Sequence, residues 1–282
     1  MHRPSSGTSR ARTALLIAVP LLIVVTGLLL VLAEVRYDIH VADLLPTPNL
    51  HRGLLVDEAV FFALTGAAAG IGLTTLTAIV ATLFVHWHRY WAAAFVVVAV
   101  MVGRAVSLAL KNAFEVPRPV SAVTDAIRAP AVTLPVLLAA VVVLGLVILF
   151  TRYRREAIVL LVLMVGLLIE NRIASDLLPT RAGFDAFPSG HAVGSASLAI
   201  AFAAACWRSP RWRWWAIAIS SLYAMGVALS RIYLHEHLFA DVLAGWAVAL
   251  ISVVLAAGLV YLVRGLIDRF RPRYPSAAGS RT

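Results

Sequence analysis

The chain has 282 residues, 61% hydrophobic and 13% charged, with a mean hydropathy of +0.91, and this balance excludes an ordinary soluble domain in favour of a polytopic membrane protein. A formal net charge of +10 would suit a nucleic-acid partner, but the arginines are distributed as membrane topology requires, so none is expected. The single cysteine, Cys206, excludes an intrachain disulfide.

In chain order, residues 1–13 are polar and read as a disordered cytoplasmic tail. Residues 14–264 read as one integral-membrane domain, and 265–282 as a basic tail. A spanning helix needs about 20 mainly apolar residues. The candidate spans are 14–33, 59–85, 91–110, 131–150, 157–171, 191–207, 214–230 and 238–263, so the expected fold class is all-α, a membrane bundle of about eight helices. The first run follows Arg3, Arg10 and Arg12 as a signal peptide would, and Val31-Leu32-Ala33 loosely resembles a cleavage site. Its length exceeds the usual signal core of about 7–15 residues, so it reads as a retained helix. The segment Glu34 to Glu58 reads as a connector, with an interfacial lid as the alternative. The second span carries Gly66-Ala67-Ala68-Ala69-Gly70-Ile71-Gly72, small residues that let helices approach closely and carry no chemistry of their own.

Alternating the loops across eight helices places 15 basic residues with both termini and eight on the opposite side. The positive-inside rule then makes both termini cytoplasmic. Six of the seven tryptophans, Trp87, Trp91, Trp207, Trp212, Trp214 and Trp215, fall at that same cytoplasmic interface, where aromatic anchors collect.

The third span ends in Lys111, the only lysine against 23 arginines. A compact ammonium is one thing Arg cannot supply, so this lysine calls for a reason beyond snorkelling. Arg104, two turns earlier on roughly the same face, is costly at that depth and calls for a partner, for which Glu170 is the candidate. The polar stretch Glu170 to Asp185 leads into Phe187-Pro188-Ser189-Gly190-His191, a turn that opens a helix. Backbone N–H groups and the positive end of a helix dipole favour an anion there, and His191 could hand it a proton. The eighth helix opens with His237 and Asp241, four apart and therefore on one face. The carboxylate can then hold the Nδ1 proton and leave Nε2 as nucleophile or base. His235 points elsewhere, and with no Cys, Glu or further His at ligand spacing a metal site is not expected.

Three segments thus face one side of the membrane: Lys111 with Arg118-Pro119, Pro188-Ser189-Gly190-His191, and Ser230-Arg231 with His237 and Asp241. Together they resemble the three-part signature of the type 2 phosphatidic acid phosphatase family, relatives of the vanadium haloperoxidases. The resemblance implies a six-helix membrane core without cofactor or metal, and removal of phosphate from lipid phosphates through a phosphohistidine. It makes His237 the nucleophile, Asp241 its orienting carboxylate and His191 the general acid. Lys111, Arg118, Ser189, Gly190 and Arg231 would hold the phosphate oxygens. The implied partners are a membrane lipid phosphate and the bilayer, and the implied location is a bacterial plasma membrane with the site on the extracytoplasmic face. Undecaprenyl-type polyprenyl diphosphate is the leading substrate expectation, ahead of phosphatidic acid or phosphatidylglycerol phosphate. In the family the first two motifs usually share one connection, whereas here residues 120–187 intervene and include two apolar spans. Arg172 or Arg181 could therefore replace Lys111 or Arg118. A lipid phosphotransferase using the same site, and a non-catalytic lipid-phosphate binder or transporter, are the alternative functions.

Overall fold

The structure, a computed structural model, describes residues 56–117, 153–180 and 186–270. The expected spans 14–33 and 131–150, residues 1–13, and both Arg118 and Arg181 lie outside the described residues. Among those described there are seven helices and no strand: α1 (Val56–Ala68), α2 (Gly70–His86), α3 (Tyr90–Phe114), α4 (Arg154–Leu177), α5 (Gly190–Cys206), α6 (Arg213–Tyr233) and α7 (Phe239–Phe270). Four of them, α3, α4, α6 and α7, are long and apolar enough to cross a membrane, while α2 and α5 are shorter apolar helices.

The bundle is built around α5. A helix that is apolar on every side has no solvent face and belongs in the interior. In α5 the run Ala192 to Ala199 is buried throughout, and the helix packs against α3, α6 and α7. Small residues make those contacts close. A Cβ on Gly245 of α7 would lie 2.9 Å from the Ala192 Cβ and 3.1 Å from the Ser189 carbonyl oxygen, so the backbones of α7 and α5 nearly touch. Gly103 of α3 meets Ser197 in the same way, and Gly194 of α5 meets Leu73 of α2. Without a strong hydrophobic drive between helices in lipid, such van der Waals contact is what holds a bundle together. The peripheral helix is α4, in which only Ala157 and Leu167 are buried.

Three expectations are corrected. The span expected at 59–85 is two helices, because Ala69 is extended (φ −73, ψ 165) and interrupts the i to i−4 ladder. The glycine-rich stretch serves that break: Gly72 comes up against the Gly66 carbonyl and Ala67, where a Cβ would collide. The span expected at 157–171 is the helix Arg154–Leu177, so residues 170–177 of the polar stretch are helical. The last span, expected at 238–263, is the helix Phe239–Phe270.

The two ends of the bundle differ in chemistry. At one end, Arg89 donates to the Ala205 carbonyl in the last turn of α5, Arg155 donates to the Tyr90 hydroxyl at 2.9 Å, and His86 meets Glu156 at 3.0 Å. These contacts bring the α2–α3 turn, the start of α4 and the end of α5 together. The other end gathers the break at Ala69, the ends of α3 and α6, and the starts of α5 and α7, and it holds the candidate site.

Candidate active site

Ser189 is the N-cap residue of α5, in extended conformation (φ −62, ψ 109). Its backbone N–H donates to the Asp241 carbonyl at 3.1 Å, tying the start of α5 to the first turn of α7. That N–H is therefore spoken for, and the anion-binding capacity of the turn rests on the first-turn N–H groups that follow it. The Ser189 hydroxyl is fully buried and finds no hydrogen-bond partner among the described residues. Gly190 matters for what lies over it. A Cβ there would stand 3.6 Å from Lys111 Cε and 3.8 Å from Ser107 Oγ, so the lysine stem runs across the glycine. Lys111 is 7% exposed. Although residues 112–188 separate them in sequence, the lysine in the last turn of α3 lies against the Ser-Gly turn.

The third segment is shaped by the way α6 stops. The His235 N–H bonds to the Ile232 carbonyl and the Glu236 N–H to the Arg231 carbonyl, with His235 left-handed at φ 54. This paired termination satisfies the last carbonyls of the helix. It turns the chain within three residues, so that Glu236 and His237 follow in buried positions before α7 begins. Asp241 is the third residue of α7, and its Oδ2 accepts the N–H of Leu238 at 2.9 Å, the carboxylate half of a capping box. The same oxygen lies 3.5 Å from His237 Nδ1. A carboxylate anchored by its own helix start in this way sets the imidazole's orientation and favours a proton on Nδ1, leaving Nε2 outward.

A cavity of about 210 Å³ joins these pieces. Lys111, Gly190, His191 and His237 line it, together with Arg104 from deeper in α3. Five sequence-predicted residues are thus brought together: Lys111, Gly190, His191 and His237 at the cavity, and Asp241 directly behind His237. Arg104 makes its ion pair with Glu170 at 3.0 Å, both side chains being partly buried.

Arg231, expected to hold a phosphate oxygen, sits at the end of α6 beside Glu236. It is 1% exposed, pairs with the Glu236 carboxylate, donates to Thr65 Oγ1 at 3.4 Å, and does not line the cavity. Its guanidinium braces the third segment from behind. Arg172 pairs with Asp176 at 3.1 Å with its side chain 81% exposed, and it too stands away from the cavity. Its neighbours in α4, Asn171 and Ser175, line the cavity instead, as do Ala68, Ala69 and Gly70 from the break between α1 and α2. Sequence reasoning missed Glu236, although a carboxylate between His235 and His237 in an apolar surround was the available signal. It also missed Ser107, whose hydroxyl is buried at the cavity wall without a partner among the described residues. Four residues before Lys111, it shares that helix face.

Comparison with curated proteins and with solved structures gave no match. A family model does match: that of the PAP2 superfamily, over residues 91–265, well over half of the chain and inclusive of every residue just described at the cavity except those of the α1–α2 break. A helical membrane bundle that sets two histidines, a lysine and a carboxylate around one cavity accords with that match, and the chain belongs to the PAP2 superfamily, whose members are phosphatases acting on phosphate esters.

Proposed function

We propose that the protein is a metal-independent lipid phosphate or diphosphate phosphatase of a bacterial plasma membrane, working on the extracytoplasmic face through a phosphohistidine. The observation that carries this reading is the pairing of buried His237 with Asp241, opening on a cavity shared with His191 and Lys111. Pure binding would need the cation but not an oriented imidazole. Phosphoryl transfer asks chiefly for positioning and for stabilised charge on the equatorial oxygens. Lys111, the Ser189 hydroxyl and the α5 N-terminus supply this, with Arg118 as a further candidate.

In the proposed first step, His237 Nε2 bonds to phosphorus as the bond from phosphorus to the lipid oxygen breaks, and His191 gives that oxygen its proton. In the second, His191 takes a proton from water, whose oxygen bonds to phosphorus as the bond to Nε2 breaks. Inorganic phosphate leaves and both imidazoles return to their starting states. Asp241 holds the Nδ1 proton throughout. The distribution of arginines supports cytoplasmic termini and an outward site. Undecaprenyl-type diphosphate is the first substrate to test.

The experiment is phosphate release by the purified protein, in chelator, from a panel of lipid phosphates and diphosphates. Release that persists in chelator and disappears in His237→Ala is expected. A requirement for divalent metal, or survival of activity in that variant, overturns the mechanism. A labelled phosphate that appears on an added alcohol rather than in water would make the protein a phosphotransferase.

A further inference from the structure

At the end of the bundle remote from the cavity, a groove of about 490 Å³ runs between the start of α3, the end of α5 and the last turns of α7. Three arginines from three different segments line it: Arg89 before α3, Arg208 after α5, and Arg264 on α7. Trp91, Trp207 and Tyr261 line it with them, and no acidic residue does. We infer that this groove is a binding site for the headgroup of an anionic glycerophospholipid, separate from the phosphatase site.

Convergence distinguishes the groove from a basic loop. Positive-inside topology needs arginines on one side of the membrane but not three aimed at one space. Two of them are also fixed by the protein. The Arg89 guanidinium lies 5.2 Å from the Phe84 ring centroid and donates to the Ala205 carbonyl, while that of Arg264 lies 6.0 Å from the Trp91 ring centroid. Arginines held against aromatic faces lose little freedom when a phosphate arrives. Arg264 also meets Asp268 at 3.8 Å, with both side chains more than half exposed, so water screens that pair.

The rest of the lining says what kind of anion fits. Phe95, Ala257 and Val260 give the groove an apolar floor beyond the arginines. Tyr261 is 81% exposed on the outer face of α7, in the manner of interfacial anchors. A ligand with a phosphate at one end and acyl chains at the other matches that sequence of surfaces, and a free phosphate uses only the first part. Basic pockets between transmembrane helices are a recurring form of lipid-headgroup site. The residues after Phe270 include Arg271, Arg273 and Arg281 and no acid, so like charge disfavours their occupying the groove.

The test is a binding titration of the full chain in a neutral detergent, read by thermal stabilisation and by native mass spectrometry. The probes are phosphatidylglycerol, phosphatidylcholine and inorganic phosphate. Phosphatidylglycerol should bind at least about tenfold more tightly than phosphatidylcholine, the ratio expected when one charge-assisted contact is gained. Arg208→Gln with Arg264→Gln should remove most of that preference while leaving phosphate release intact, whereas Lys111→Ala and His237→Ala should keep the preference. Equal binding of the two lipids, or a preference retained in the double variant, overturns the proposal. A preference lost only in Lys111→Ala overturns it too, by moving the anion to the phosphatase cavity. Equal stabilisation by inorganic phosphate replaces the lipid with a free anion and overturns it as well.

Discussion

The same side chain leads two different lives at the two ends of this bundle. Arg231 at the cavity end is 1% exposed and locked to Glu236, whereas Arg208 at the other end is open to its surroundings with no ion pair among the described residues. The tryptophans follow suit, since Trp212, Trp214 and Trp215 are all well exposed. Charge at the exposed end, outside the groove that Arg89, Arg208 and Arg264 share, is screened by its surroundings and can be moved at little cost. A buried charge is tolerable only with a partner in place, and removing that partner exposes the full desolvation penalty. One end is therefore specified residue by residue, while the surface of the other, outside its arginine groove, is specified mainly by composition.

Breaking the specified end should have effects in a definite order. His237→Ala is expected to lower phosphate release by about 10⁴-fold or more, as losses of covalent nucleophiles do, with a lowered unfolding midpoint because buried Asp241 loses its imidazole and keeps only the Leu238 N–H. Steady-state release and a thermal melt on the same preparation check both halves. Asp241→Asn keeps the shape and an acceptor for the Leu238 N–H but no longer favours the Nδ1 proton, so a fall of about 10³-fold is expected, in kcat more than in KM.

Glu236→Ala tests packing rather than chemistry. It removes the carboxylate paired with a buried guanidinium and should cost about 3–5 kcal/mol of stability in a denaturant titration. Arg231→Met combined with Glu236→Leu should recover most of that. Gly245→Ala puts a methyl group between α7 and the start of α5, and about 1–3 kcal/mol of overpacking is expected, with a drop in activity because Ser189 and His191 are displaced together. At the other end, Arg211→Gln should stay within about 0.5 kcal/mol of the parent, and a larger loss there would erase the contrast between the two ends.

Much of the site was legible because its residues stand at helix ends, and helix ends can be counted. Counting spans put Lys111, His191 and His237 on one face, and helical spacing put His237 with Asp241. The cost of a mid-span charge led from Arg104 to Glu170, and the two are 3.0 Å apart. What escaped notice depends on backbone geometry that composition does not encode. The break at Ala69 comes from one extended residue inside an apolar run. Hydropathy ended α4 at 171, yet the helix runs to Leu177, because its ladder continues through polar residues, two of which, Asn171 and Ser175, turn to the cavity. The buried role of Glu236 depends on His235 taking a left-handed conformation, which His adopts uncommonly and which no pattern announced.

The contact at Gly245 has a consequence for how such an enzyme can diversify. Because α7 meets α5 backbone to backbone, with a hydrogen bond from Ser189 to Asp241 beside it, the separation of the two cavity histidines is set by main chain rather than by side chains. Leu108, Asn171 and Ser175, on walls that take no part in that contact, can then vary to suit different phosphate esters without retuning the chemistry.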